Sequence, residues 1–380
     1  MAYPEIDFIF LSEEDMIRAG VKDMPACIDA MEEVVKCLNA GDYVMGGENH
    51  NSHGSQVSFP KESPFPNMPL DEGDDRRFMA MPAYIGGSFD LAGMKWYGSN
   101  SKNREKGLPR SILTVMLNDK DTGAPLALMS ANILSAMRTG AIPGVGARYL
   151  APKDAAVCGI CGPGVMGKTS LAAILAECPG IREIKVKGRG EKSLQAFVKY
   201  ARDKYPDIPV IRPVDSVEEL VKGTDVISFA NSGTTDPATY PLVKGEWIKP
   251  GALIIGVSCF ELDASYMADT KACRLVVDNT ALYEAWAEEF PYPSFGANNI
   301  IGSKFTDMIH DGLITKRDMV DLGDIISGKR AGRDRTDQVV IFSVGGMPVE
   351  DVAWGKRCYE RAKELGLGQK LKLWDKPDLA

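Results

Sequence analysis

The run Gly162 to Gly167 (GPGVMG) constrains this chain more than any other feature. It follows an apolar strand candidate, DAAVCGIC, and opens a helix candidate, VMGKTSLAAILAEC. In that context each glycine has a steric reason. The first permits a tight turn, the second lets the backbone approach a pyrophosphate, and the third lets helix and strand pack closely. A helix N-terminus adds free N–H groups and partial positive charge. The motif predicts a dinucleotide site built on Gly162, Gly164, Val165, Met166 and Gly167.

The texture around the motif agrees with it. From Ala155 onward, EIKVKG, EKSLQAFVKYARDKY, PVIRPV, DVISFAN, ALIIGVS and CRLVVDN alternate as strands and helices. Such alternation implies parallel strands joined by helical crossovers, a Rossmann-type doubly wound α/β domain, expected over residues 136–330. A chain of 380 residues exceeds what one core usually serves, so a second domain is expected. Ser12 to Ala40 carries apolar residues at helical spacing, and Gly47 to Asp75, with four prolines, reads as a long loop. FMAMPAYI, LAGMKWYG, RSILTVMLND and APLALMS read as strands of a mostly antiparallel sheet in residues 1–135. After Lys329, the strand VVIFSV and the helix VEDVAWGKRCYERAKELGL are expected to return residues 331–380 to this first, α+β domain.

The tip of the strand EIKVKG bears on which dinucleotide is bound. An acid about twenty residues beyond the glycine motif holds the adenosine ribose of NAD. Here the stretch reads Gly188, Arg189, Gly190, Glu191, Lys192, and two cations without a tip acid favour the 2′-phosphate of NADP(H). Arg189 stacking on adenine, or Glu191 taking the acid's part, leaves NAD(H) open. Asn231 and Ser258, closing the strands DVISFAN and ALIIGVS, complete the expected cofactor set.

A net charge of −8 argues against nucleic acid as the main partner. The N-terminus lacks a signal-peptide layout and no apolar run reaches the roughly 18 residues of a membrane span, so a cytoplasmic protein is expected. The eight cysteines read as reduced core thiols. Cys158 and Cys161, three apart on a strand, point to opposite faces. With three histidines in the chain no metal site is expected.

The segment from Gly93 to Ala151 resembles the ornithine cyclodeaminase and mu-crystallin family. It carries GMKWYGSNSKN, GLPRSILTVMLNDKDTGAPLALMS and the quite specific SAMRTGAIPGVGARYLA. WIKPGALIIGVS, the ELD of Glu261 to Asp263 and VVIFSVGGMPVEDVA extend the resemblance over roughly residues 78–360. The resemblance implies a substrate and dimerisation domain formed by both chain ends, a nucleotide domain between, and a homodimer. It places Lys95 and Arg138 on the substrate carboxylate beside the nicotinamide and Thr139 on the pyrophosphate. A guanidinium can grip a carboxylate through two parallel hydrogen bonds, which suits the role. By composition alone, either cation reads first as a solvated side chain covering apolar surface, and its place in a family motif reverses that reading.

Two departures from the cyclodeaminase pattern bear on the chemistry. The loop after LIIGVS holds no aspartate before Asp263, and Met79 and Ala80 stand before Met81 and Pro82 where an acid would receive ornithine's distal amine. These departures favour a net redox enzyme, a ketimine reductase or amino-acid dehydrogenase acting on a small amino or imino acid. Cyclodeaminase chemistry with catalytic NAD, and a non-catalytic nucleotide or ligand binder, remain as alternatives. The proton donor is left open between Lys95 and a loop residue. Arg76 and Arg77, beside the long loop, are a lead for a third cation at the substrate carboxylate.

Overall fold

The computed structural model describes residues 4–73, 75–233 and 236–378. The chain divides into two units. One comprises the residues up to Asp23, Gly41–Arg138 and those from Met347 onward, and the other Met24–Ala40 and Thr139–Gly346.

The first unit is built on β1 (Ile6–Leu11), β2 (Tyr43–Met45), β3 (Ser55–Ser58), β4 (Arg77–Ile85), β5 (Leu91–Ser99), β6 (Ser111–Asn118), β7 (Pro125–Ser130) and a C-terminal strand, Gln369–Trp374. The sheet runs C-terminal strand, β1, β7, β6, β5, β4, β2, with β3 also paired to β4. All pairs are antiparallel except β1 with β7. Alternation puts Met81, Ala83 and Ile85 of β4, Lys95 of β5, and Val115 and Leu117 of β6 on one buried face. The C-terminal helix, Pro348–Glu364, covers that face. A Cβ at its Gly355 would lie in ordinary van der Waals contact, 3.4 Å from the side chains of Met129 and Val115. Each fully buried aliphatic side chain there contributes about 1.5–3 kcal/mol.

The N-terminal helical stretch is two helices. α1 (Glu13–Arg18) starts on a Ser12–Asp15 capping box. Gly20, at φ +87°, breaks the pattern before α2 (Met24–Ala40), whose second residue is Pro25. β1 and the C-terminal strand are additions that the sequence pattern did not announce. The long loop does contain a strand, β3, against β4.

In the second unit β8 (Val157–Cys161), β9 (Glu183–Lys187), β10 (Val210–Pro213), β11 (Val226–Phe229), β13 (Leu253–Gly256), β15 (Cys273–Val277), β16 (Met319–Asp321) and β17 (Val339–Ser343) form one sheet. β12 (Leu242–Val243) and β14 (Glu261–Leu262) pair separately. The order is β10-β9-β8-β11-β13-β17-β15-β16, and every pair is parallel. The order turns back between β8 and β11, the switch point at which open α/β sheets bind ligands. The unit boundaries fall later than the expected 135/136 and 330/331, after Arg138 and Gly346. The second shift has a plain cause: β17 sits inside this sheet, between β13 and β15, and all five of its residues are buried. α2 also belongs here, since Ile28 packs on Gly144 and Asn39 donates to Asp324 at 2.9 Å. Among the described residues no helix is long and apolar enough to cross a membrane.

Candidate active site

The glycine loop lies between β8 and α4 (Val165–Glu177). Gly162 has φ +105°, and a Cβ there would lie 2.5 Å from the Ala230 carbonyl oxygen and 2.6 Å from Asn231 Cα. A Cβ on Gly167 would lie 2.1 Å from the Gly162 oxygen, so these two glycines are fixed by close backbone approach. Gly164 differs, because a Cβ there would meet nothing within 4 Å. Its bareness leaves space over the backbone at the N-cap of α4. Among the described residues the positive helix end has no capping side chain and no first-turn acid, and Val165 beside it is 63% exposed. Met166 completes this first turn.

Asn231 and Ser258 join Gly162 at the carboxyl ends of β8, β11 and β13. Ser258 N–H donates to the Phe229 carbonyl at 2.9 Å, and Asn231 Nδ2 donates to the Cys259 carbonyl at 3.1 Å. Among the described residues Asn231 Oδ1 is buried with no hydrogen-bond partner. An open helix N-terminus beside an orphaned acceptor fits the diphosphate and hydroxyl groups of a dinucleotide. Arg189 and Lys192 are exposed at the turn into α5 (Glu191–Lys204), and the Glu191 carboxylate accepts from Gln195 at 2.7 Å. Gly188 brings this turn against Pro163 of the glycine loop, where a Cβ on the glycine would lie 2.8 Å from Pro163 Cγ. Thr139 lies on α3 (Asn132–Leu150), one residue before Gly140, which packs against Thr169 of α4. Cys158 and Cys161 are buried and unbridged, and burial pushes the Cys161 thiol up to about 12.

The first unit holds the second cluster. The side chain of Asn132 ties the start of α3 to β6, accepting from Leu113 N–H at 2.9 Å and donating to the Ser111 carbonyl at 2.8 Å. Arg138 then follows on the same helix and meets Lys95 of β5 around two carboxylates. Lys95 Nζ lies 2.7 Å from Asp351 Oδ2, Arg138 Nη2 lies 2.9 Å from the same oxygen, and Arg138 Nη1 lies 2.5 Å from Glu350 Oε2. Ser135 Oγ accepts from both cations at 3.4 Å. All four charged side chains are buried, and their charges cancel.

Electrostatics divide the labour within this quartet. Burial, joined by the adjacent Arg138 charge, lowers the Lys95 ammonium to about 8 against the pull of Asp351 and Glu350. For Arg138, burial is outweighed by Asp351 and Glu350, and the guanidinium stays charged. For Asp351, burial is outweighed by Arg138 and Lys95, which hold its carboxyl below the usual range. Among the described residues Asp351 Oδ1 and Arg138 Nε are buried without hydrogen-bond partners. The quartet thus retains an acceptor and a donor of its own for a ligand.

Glu350 and Asp351 escaped the sequence reading. Pro348 with two acids in the first turn looks like an ordinary helix start, where acids complement the dipole. The signal was present nonetheless: Asp351 shares a helical stripe with Gly355, Cys358 and Ala362, all buried. Met79, at the position of the missing acid, takes a hydrogen bond on Sδ from Tyr97 OH at 3.3 Å. Asp263 caps the short helix Ala264–Ala268, accepting from Ser265 N–H at 2.7 Å.

The model of the ornithine cyclodeaminase/mu-crystallin family matches residues 20–366. The chain belongs to that family. Within it, the chain is 32% identical to an alanine dehydrogenase of Archaeoglobus fulgidus over 311 residues, 80% of this chain and 85% of that one. It is 25% identical to the N-((2S)-2-amino-2-carboxyethyl)-L-glutamate dehydrogenase of Staphylococcus aureus over 97% of this chain and 99% of the relative. Among solved structures, the Thermococcus litoralis Δ1-pyrroline-2-carboxylate reductase in complex with NADH and L-proline is similar at a TM-score of 0.74 and 27% identity, covering 95% of this chain and 99% of that one. An archaeal alanine dehydrogenase dimer with bound NAD is similar at a TM-score of 0.74 and 26% identity, over 97% of this chain and 100% of that one.

Proposed function

We propose that this member of the ornithine cyclodeaminase/mu-crystallin family is an NAD(P)(H)-dependent oxidoreductase that reduces a small imino acid, or oxidises the matching amino acid, at its α-carbon. The observation that carries this reading is the buried, charge-neutral quartet of Lys95, Arg138, Glu350 and Asp351. A neutral site of opposed charges suits a zwitterion, which brings one charge of each sign and so adds no net charge to a buried place. Lys95 and Arg138 hold the carboxylate, with Arg138 Nε an open donor. Asp351 Oδ1, the open acceptor, takes an N–H of the iminium or ammonium.

Lys95 is also the proton donor. With its ammonium lowered to about 8, it can lose and regain a proton near neutrality, as a general acid must. In reduction the α-carbon of the C=N bond receives hydride and the π electrons pass to nitrogen, which takes the proton from Lys95. The nicotinamide cofactor, when bound, supplies or accepts the hydride. Gly162, Gly164, Val165, Met166 and Gly167 are assigned to its diphosphate, and Thr139, Asn231 and Ser258 to flanking contacts. Arg189 and Lys192 are assigned to a 2′-phosphate, favouring NADP(H). The relatives named alanine dehydrogenase and pyrroline-2-carboxylate reductase support the redox chemistry. Met79 and the capping use of Asp263 weigh against cyclodeaminase chemistry. A homodimer is proposed by likeness to the archaeal alanine dehydrogenase dimer, and light scattering would check it.

The test is to mix purified protein with NADPH or NADH and cyclic or linear imino acids while following reduced-cofactor absorbance. Consumption of cofactor in proportion to imine is expected. If no imine consumes it while ornithine yields ammonia and proline without net cofactor change, the redox reading is overturned.

A further inference from the structure

The sheet face that carries Lys95 continues past the end of the C-terminal helix. In the rows of Gly93 and Lys95 that face is covered by the helix, as the contact of Gly93 with Val352 shows. In the next row Tyr97 lies between Met79 on β4 and Leu113 on β6, and all three are half-buried. In the row after that Ser99 lies between Arg77 and Ser111. The step from one row to the next along a strand is about 7 Å.

This last row ends in an arginine pair. Arg77 and Arg110 both form ion pairs with the single carboxylate of Asp75, which also accepts from Ser99 Oγ at 3.1 Å. Among the described residues the two guanidiniums share this one carboxylate. Among the described residues the Nε atoms of Arg77 and Arg110 are moreover buried with no hydrogen-bond partner. The Lys95 ammonium stands 5.7 Å from the centre of the Tyr97 ring, and the Arg77 guanidinium carbon 5.9 Å from the same point. The two cations are therefore less than about 12 Å apart, and both face the Tyr97 ring.

We infer that Arg77 and Arg110 form a distal anion subsite, and that the substrate is an amino or imino acid carrying a second carboxylate. This rests on the proposed hold of the α-carboxylate by Lys95 and Arg138. One carboxylate lies at those residues, the carbon chain crosses the Tyr97 ring, and the other carboxylate meets the arginine pair. With charge-assisted hydrogen bonds of about 2.8 Å at each end, a spacer of at most about three carbons bridges the two cation groups. Met79 suits the middle of that chain, being apolar where an acid would repel a dicarboxylate.

The experiment is calorimetric titration of the whole protein, saturated with NADPH, by L-glutamate and by its chain-matched monocarboxylate L-norvaline. Glutamate is expected to bind about 30-fold more tightly. R77Q and R110Q should each remove at least about tenfold of that advantage while norvaline binding stays within about twofold, and R77K, keeping the charge, should restore part of it. K95M should weaken both ligands. Equal binding of the two ligands by the wild type, or an unchanged ratio in R77Q and R110Q, overturns the distal subsite. These ratios do not depend on turnover. If they hold while no imine consumes NADPH, the oxidoreductase reading fails and the subsite stands. If imines are reduced but the ratio is flat, the subsite fails alone.

Discussion

The Lys95 ammonium and the Asp351 carboxylate lie 2.7 Å apart although 256 positions separate them in the chain. That contact opposes the burial and the Arg138 charge that lower the ammonium to about 8. With Lys95 as the proposed donor, its protonated fraction falls as pH rises through about 8, so kcat for reduction should fall about tenfold per pH unit above that value. Oxidation needs the neutral amine and should fall below the same value. Asp351 raises the Lys95 ammonium, so D351N should move both limbs to lower pH. A pH–rate series in both directions checks this, and an unmoved profile in D351N would remove Lys95 as donor.

Replacing Arg138 by Ala takes the guanidinium from both Glu350 and Asp351. Loss of one partner from a buried ion pair destabilises by about 3–5 kcal/mol, so the melting temperature should drop. Loss of the carboxylate grip should lower kcat/KM about a thousandfold or more, while NADPH affinity stays within about threefold. Fluorescence titration of the cofactor beside steady-state kinetics separates the two. A variant with near-normal kcat/KM would dismiss Arg138 from the substrate.

The three motif glycines should not be equivalent. G164A adds a methyl where nothing lies within 4 Å, so folding should be unaffected while NADPH affinity falls at least about tenfold, because the methyl occupies the approach to the helix amides. G167A places the methyl 2.1 Å from the Gly162 oxygen and should lower the melting temperature as well. Thermal melts paired with cofactor titration test this, and normal binding by G164A would count against the diphosphate site.

Cofactor choice should reside in the turn after β9. The R189A/K192A double variant should raise the KM for NADPH about tenfold or more and leave that for NADH nearly unchanged, since both residues are exposed and only a 2′-phosphate calls on them. Equal effects on both cofactors would assign Arg189 to the adenine instead.

What was legible in the sequence follows from how local each signal is. The glycine motif, the alternating strands and helices, and the antiparallel run from β4 to β7 are written in consecutive residues, and the family landmarks marked Lys95 and Arg138 as partners. Partnerships between distant segments were not legible. β1 gives no clue that its neighbour is the strand Gln369–Trp374, and the acids at 350 and 351 look like helix-start residues until Lys95 and Arg138 are brought to them. The assignment of β17 to the first domain failed for the same reason, because VVIFS fits either sheet by its apolar character. Arg77 was noticed, but only strand register places it two rows from Lys95 on the same face.

The first unit's assembly from three separate stretches has a consequence for synthesis. Translation delivers every residue of the second unit before the helix that begins at Pro348. Until then Lys95 and Arg138 have no Asp351 or Glu350 to neutralise them, and an interior with two bare cations cannot close. A polypeptide interrupted short of that helix would keep its glycine loop and yet lack both carboxylates that Lys95 and Arg138 face.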